Sequence, residues 1–250
     1  MAGRQPVLID GQEFVAGVFP VDKPRGMTSF AVVRRVRHLL GIRKVGHAGT
    51  LDPFATGLLI LCAGRPATRH IEHFMAGRKE YRALLQLGVE TETQDPEGRV
   101  TARAPVPALS LEEIRTCLGE FVGRRMQAPP PFSAAKHKGK PLYHYARRGI
   151  VIAKEPRPVE VYSIDCLGYD PAPGRLDITV SCSRGTYIRV LAAEIGARIG
   201  CGAHLLELRR TASGAFSVDE SVDGERLFAD NGLHHLLAGM IPVEEAVKKW

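Results

Sequence analysis

Along the chain, short apolar runs alternate with turn residues. Residues 18–21 read as a strand closed by the turn Asp22-Lys23-Pro24-Arg25-Gly26. Thr28 or Ser29 can cap a helix over residues 30–40, which Gly41 ends. Val32, Val33, Val36, Leu39 and Leu40 share one face of it, and Arg34, Arg35, Arg37 and His38 take much of the rest. Residues 57–62, Gly-Leu-Leu-Ile-Leu-Cys, form a continuous apolar run that reads as a buried strand. A helix over 67–75 and a strand over 79–87 follow. Asp95-Pro96-Glu97-Gly98 is a turn joining two strands. Ser110-Leu111-Glu112-Glu113 is a capping box that opens a helix to about residue 121.

Residues 127–140, with three consecutive prolines, read as an exposed loop, and residues 141–149 carry helix start and stop signals. The last third predicts strands over 159–169 and 175–182, a helix over 187–199 and a strand over 204–211. This irregular alternation, with several hairpin-like turns, points to the α+β class. The expected architecture is a mixed, mostly antiparallel central sheet with flanking helices, not a doubly wound parallel sheet.

Composition narrows the setting. At 250 residues, 44% hydrophobic and 24% charged, the chain has the profile of a soluble globular protein. No apolar run approaches a membrane span, and residues 1–10 lack a signal-peptide core, which predicts a cytoplasmic protein. Five scattered cysteines without a CxxC spacing fit reduced thiols, and the histidines form no metal signature. Net charge is +7, but its distribution says more. Residues 20–82 hold twelve Lys/Arg against four Asp/Glu, and residues 124–157 hold nine against one. Two basic segments on a mildly acidic remainder suit a polyanion held at one surface.

Candidate chemistry centres on Gly46-His47-Ala48-Gly49-Thr50-Leu51-Asp52-Pro53. The two glycines allow close approach or positive φ. Pro53 pushes Asp52 out of the helical region, at the mouth of the apolar strand. Such a turn fits a structural role as well as a catalytic one. A carboxylate with a reference pKa of about 3.9 is ionised at neutral pH and can act as nucleophile or general base. Arg189, after the turn at Gly185, is a candidate partner or a surface helix residue. Tyr81 and Tyr187 are candidate stacking platforms for a nucleobase, or ordinary core tyrosines. His47 is a candidate base-stacking or phosphate-facing group, or a plain turn residue. No Walker loop, GxGxxG or Ser-His-Asp order calls for a nucleotide cofactor or a hydrolase.

Taken together, several segments resemble one family. They are Asp22-Lys23-Pro24-Arg25-Gly26-Met27-Thr28-Ser29, the Asp52 octapeptide, Ala55-Thr56-Gly57, Lys79-Glu80-Tyr81, Pro130-Pro131-Phe132-Ser133-Ala134, Gly185-Thr186-Tyr187-Ile188-Arg189 and Leu208-Arg209-Arg210. In this order, from about Val18 to Val243, they are similar to the TruB family, bacterial pseudouridine synthases that modify uridine 55 in the TΨC loop of tRNA. The resemblance implies a pseudouridine synthase fold and an isomerase that needs no cofactor or metal. It implies that Asp52 is the nucleophile, at the base C6 or the ribose C1′, with a glycal route as the other alternative. Tyr81 would stack on the flipped uracil and take the departing proton, and Arg189 would pair with the aspartate. His47, Tyr187 and Leu208 match substrate-contacting positions, and Lys23 lies in a motif near the site.

The resemblance further implies a single catalytic domain over 1–250 (core about 18–243), with an insertion at about 124–157 that closes on the RNA. Many relatives continue into a C-terminal RNA-binding (PUA-like) domain, and none is evident before Trp250. The expected partner is the T-arm of tRNA, met by a monomer without guide RNA or membrane.

Overall fold

The computed structural model describes residues 7–9 and 11–250, so most of the N-terminal decapeptide read for a leader lies outside the described residues. The chain divides into two compact units, one of residues 1–79 and 209–250 and one of residues 80–208.

The first unit is built around strand Thr56–Ala63. It pairs antiparallel with Gly17–Lys23, Val18 facing Cys62, and with Val45–Ala48, His47 facing Leu61. Strand Ala203–Ser213 runs parallel to it, with Arg209 opposite Thr56 and Arg210 opposite Gly57. Successive side chains of a strand point to opposite faces. Leu59 and Leu61 therefore join Phe19, Val21 and the apolar face of helix Ser29–Leu40 (Val32, Val33, Val36, Leu40). Leu58, Ile60 and Cys62 join Val18, Phe74, Phe216, Val243 and Ala246 on the other side. Burial on both faces is why this strand has no polar alternation. The predicted caps are present: Thr28 Oγ1 accepts from the Ala31 amide at 3.0 Å, and Gly41 ends the helix at φ 68°.

The second unit orders strand Lys79–Leu87, beyond its first residue, beside Arg175–Cys182, Arg157–Asp170 and Gly123–Gln127. The last three pair antiparallel. Val89–Thr91 and Val100–Arg103 form the hairpin expected around Asp95-Pro96-Glu97-Gly98. Helix Leu111–Gly119 opens with the capping box, Ser110 Oγ and the Glu113 carboxylate bonding each other's backbone amides at 3.2 and 2.8 Å. Helix Ile188–Ile199 ends at Gly200 in the left-handed region. Two short pairings are parallel and most of the others described are antiparallel, so the expected α+β class with a mostly antiparallel sheet holds.

Three local readings change. The single helix expected over 67–75 is two short helices, Arg65–Thr68 and Ile71–Ala76, because His70 leaves helical geometry at φ −94°, ψ 5°. The exposed loop over 127–140 carries a small hairpin, Lys136–His137 with Lys140–Pro141. Strand Gly123–Gln127 is invisible to periodicity because its arginines and Met126 give it no apolar alternation.

Candidate active site

The octapeptide begins inside strand Val45–Ala48. Its two glycines do different jobs. A Cβ on Gly46 would stand 2.7 Å from Ile71 Cδ1, whereas Gly49 sits at φ 92°, where the chain leaves the strand. From there to Thr56 the loop has no strand partner, yet its backbone is held closely. Lys23 is fully buried, and its Nζ donates to the carbonyls of Pro24 (2.8 Å), Met27 (2.7 Å) and Pro53 (3.3 Å). Ser29 Oγ donates to the Leu51 carbonyl at 3.0 Å and accepts from its amide at 2.9 Å. The Gly26 amide donates to Pro53 at 2.8 Å, and the Ala55 amide to Asp52 at 3.2 Å. Arg210 Nε donates to the Leu58 carbonyl at 2.7 Å and its Nη2 to Gly49 at 3.0 Å. Burying a polar side chain is costly unless it is hydrogen-bonded, and here backbone carbonyls meet that need. Asp52 itself is half-buried on this loop.

His47 is half-buried in the same unit, and its Nδ1 is buried without a hydrogen-bond partner. Burial, and secondarily the charge of Arg210, hold its pKa below the ordinary histidine value. Both causes disfavour the imidazolium, so the ring is neutral at neutral pH.

The other candidates lie in the second unit. Tyr81 is on the buried face of strand Lys79–Leu87, and Leu208 is buried in strand Ala203–Ser213. Tyr187 is half-buried at the N-cap of helix Ile188–Ile199, in extended geometry at φ −93°, ψ 106°. Both its backbone polar groups are held by buried Gln127. The Tyr187 amide donates to Gln127 Oε1 at 2.7 Å, and Gln127 Nε2 donates to the Tyr187 carbonyl at 3.2 Å. Arg189 stands in the helix's first turn at 3% exposure, so it is not a surface residue. Its Nη1 donates to the Thr93 carbonyl (2.7 Å) and its Nη2 to Phe132 (2.8 Å), and it ion-pairs with Asp95 at 3.6 Å. Asp95 is fixed in turn by Thr93 Oγ1 and by the Glu97 amide at 3.0 Å.

Ser29, Asp95, Gln127 and Arg210 carry no sequence signal that marks them out as site residues. Ser29 and Arg210 stand inside motifs that draw attention to their neighbours. Asp95 reads only as a turn former and Gln127 only as the start of a loop. Among the described residues no group of three or more His, Cys, Asp or Glu could hold a metal ion.

Comparison with known proteins adds the following. A family model described as TruB family pseudouridylate synthase (N terminal domain) matches residues 37–188. A second, described as tRNA pseudouridylate synthase B C-terminal domain, matches residues 189–248. The chain is 53% identical over 243 residues to tRNA pseudouridine synthase B of Desulfotalea psychrophila, covering 96% of this chain and 99% of that protein. It is 43% identical over 239 residues to tRNA pseudouridine synthase B of Stutzerimonas stutzeri, covering 94% and 77% respectively. Among solved structures it resembles a chain of a Cbf5-Nop10-Gar1 complex, with TM-score 0.69 and 29% identity over 93% of this chain and 62% of that one. It also resembles a chain of an H/ACA RNP bound to a substrate RNA containing 2′-deoxyuridine, with TM-score 0.67 and 27% identity over 93% and 61%.

Proposed function

The chain belongs to the TruB family of pseudouridylate synthases and isomerises uridine to pseudouridine in tRNA; we propose that it does so at position 55 of the TΨC loop, with Asp52 as the nucleophile. The observation that carries the role of Asp52 is its setting. A half-buried carboxylate rides on a loop whose backbone is bonded at Gly49, Leu51 and Pro53 by residues outside it, and Arg210 also holds Leu58 in the strand that follows. A nucleophile held in one geometry does not lose orientational entropy at the moment of attack.

In the reaction the N1–C1′ bond of the uridine breaks, the base turns, and C5 bonds to C1′. The C5 proton leaves and N1 ends protonated, so the product is an isomer and no redox partner is consumed. Tyr81 stacks on the flipped uracil and accepts the C5 proton. The resemblance assigns Arg189 to the catalytic carboxylate, and the orientation of Arg189 is supported by Asp95 and the carbonyls of Thr93 and Phe132. His47, Tyr187 and Leu208 contact the RNA, whereas Lys23, wholly buried on backbone carbonyls, acts on the loop. Extruding a base from a folded loop costs a few kcal/mol, which stacking and phosphate contacts offset. Exposed Lys136, Lys138, Lys140, Arg147 and Arg148 of the 124–157 insertion supply such contacts.

The protein acts in the cytoplasm as a monomer of one catalytic domain, without guide RNA. Among the described residues no helix is long and apolar enough to cross a membrane.

The test is tritium release from C5-labelled uridine in a tRNA transcript. Wild type should release the label from position 55. Asp52→Asn, nearly isosteric but unable to attack, should fall to background while still binding tRNA. Full turnover by Asp52→Asn would mean that Asp52 is not the nucleophile. Tyr81→Phe should bind and fail to turn over, and unchanged turnover would take proton acceptance away from Tyr81.

A further inference from the structure

Arg210 has no evident reason to be charged. It is 2% exposed, in strand Ala203–Ser213, and too deeply placed to touch a phosphate. Among the described residues it makes no ion pair with a carboxylate, unlike its neighbour Arg209, which holds Asp22 through two bonds of 3.0 and 2.6 Å. Its guanidinium donates instead to neutral acceptors, the carbonyls of Gly49 and Leu58. A guanidinium costs much to bury, and a hydrophobic residue of similar size would fill the space without that cost.

Those two carbonyls flank the loop that carries Asp52: Gly49 where the chain leaves one strand, and Leu58 two residues into the next. The glycines next to them are shaped around the same arginine. A Cβ on Gly49 would lie 3.3 Å from Arg210 Nη1, and one on Gly57, at φ 101°, would lie 2.2 Å from the Arg210 carbonyl oxygen. The parallel register sets Arg210 opposite Gly57, so the side chain starts at one end of the loop and reaches the other. Arg210 reaches its two acceptors from different nitrogens of a planar fork, whereas a lysine amine, like that of Lys23, serves only carbonyls that converge on one nitrogen.

We propose that Arg210 is a positioning residue for the isomerisation: its guanidinium ties the two ends of the Asp52 loop together and so sets where the carboxylate stands. It touches neither uridine nor phosphate. This rests on Asp52 being the nucleophile. The same cation contributes to keeping His47 neutral, which supplies a reporter of its charge independent of catalysis.

The experiment compares wild type, Arg210→Lys and Arg210→Gln. Single-turnover tritium release, tRNA affinity, far-UV circular dichroism and the His47 imidazole titration by NMR are measured on each. Both variants should keep wild-type tRNA affinity and lose rate, by on the order of 100-fold, the cost of a displacement of about 1 Å at a reacting group. Arg210→Gln should raise the His47 pKa, and Arg210→Lys should leave it low, so that rate follows the bridge and the titration follows the charge. Arg210→Lys decides the matter if Arg210→Gln does not fold. A folded Arg210→Lys that turns over at the wild-type rate overturns the proposal. A rate loss matched by an equal loss of affinity does so too, because it would make Arg210 a binding residue. Wild type that releases no tritium overturns the function itself and this inference with it.

Discussion

Arg189 is a cation in the first turn of a helix, where the helix dipole repels it. Helix stability therefore does not explain its place, and Asp95 with two carbonyls must hold it there. Asp95→Asn keeps the shape and removes the charge. The expected loss is about 3 kcal/mol in a denaturant melt, the low end for breaking a buried pair, because the two carbonyls remain. Tritium release should fall in the same variant. His47 gives a second outcome. Its folded pKa lies below the ordinary histidine value of 6.5, so the unfolded chain binds the proton more readily. Its contribution to stability is complete above that value and is lost as pH falls through it. Thermal melts from acid to neutral pH should show this loss in wild type and a smaller one in His47→Gln. At this scale the sequence is uneven. Asp52 stands out because Pro53 and two glycines punctuate it. Asp95 has the same Asp-Pro signature, and only the fold shows that its turn grips Arg189.

At the scale of elements, the caps and the apolar strand are legible because their signals are local. Ser110→Ala should cost about 1 kcal/mol of stability through loss of the cap, with tritium release unchanged. Gly57→Ala should be far worse. The residue sits at φ 101° and a methyl would meet the Arg210 carbonyl, so a purified variant should melt well below wild type or fail to fold. Pairing at a distance has no such local signal. Gly123–Gln127 is a strand because Val159 and Val161 of a later strand offer it a ladder, with Arg125 and Gly123 as their partners. Its final residue, Gln127, acquires a purpose only when Tyr187 arrives, 60 residues on.

For the molecule as a whole, charge blocks are readable before any fold, and they make a collective prediction. Reversing Lys136, Lys138 and Lys140 to Glu should weaken tRNA binding. It should also flatten the salt dependence, by about 0.7 to 0.9 in log–log slope for each phosphate no longer neutralised. An unaltered slope would mean that this hairpin does not meet the backbone. Among the described residues the scattered cysteines form no disulfide. Burial pushes the Cys62 thiol up to about 12, and Cys117, Cys182 and Cys201 are also buried. A thiol reagent should therefore modify Cys166 first in the native protein and all five only after unfolding.

Lys23, Ser29 and Arg210 each bond backbone atoms of the Asp52 loop or of the strand it runs into. Backbone is common to every amino acid, so the loop's course is indifferent to most of its own side chains. The burden of invariance is thereby moved to buried residues outside the loop. In a saturation scan scored by tRNA modification, exposed Thr50, two positions from Asp52, should drift freely. Ser29 and Arg210, 23 and 158 positions away along the chain, should tolerate almost nothing.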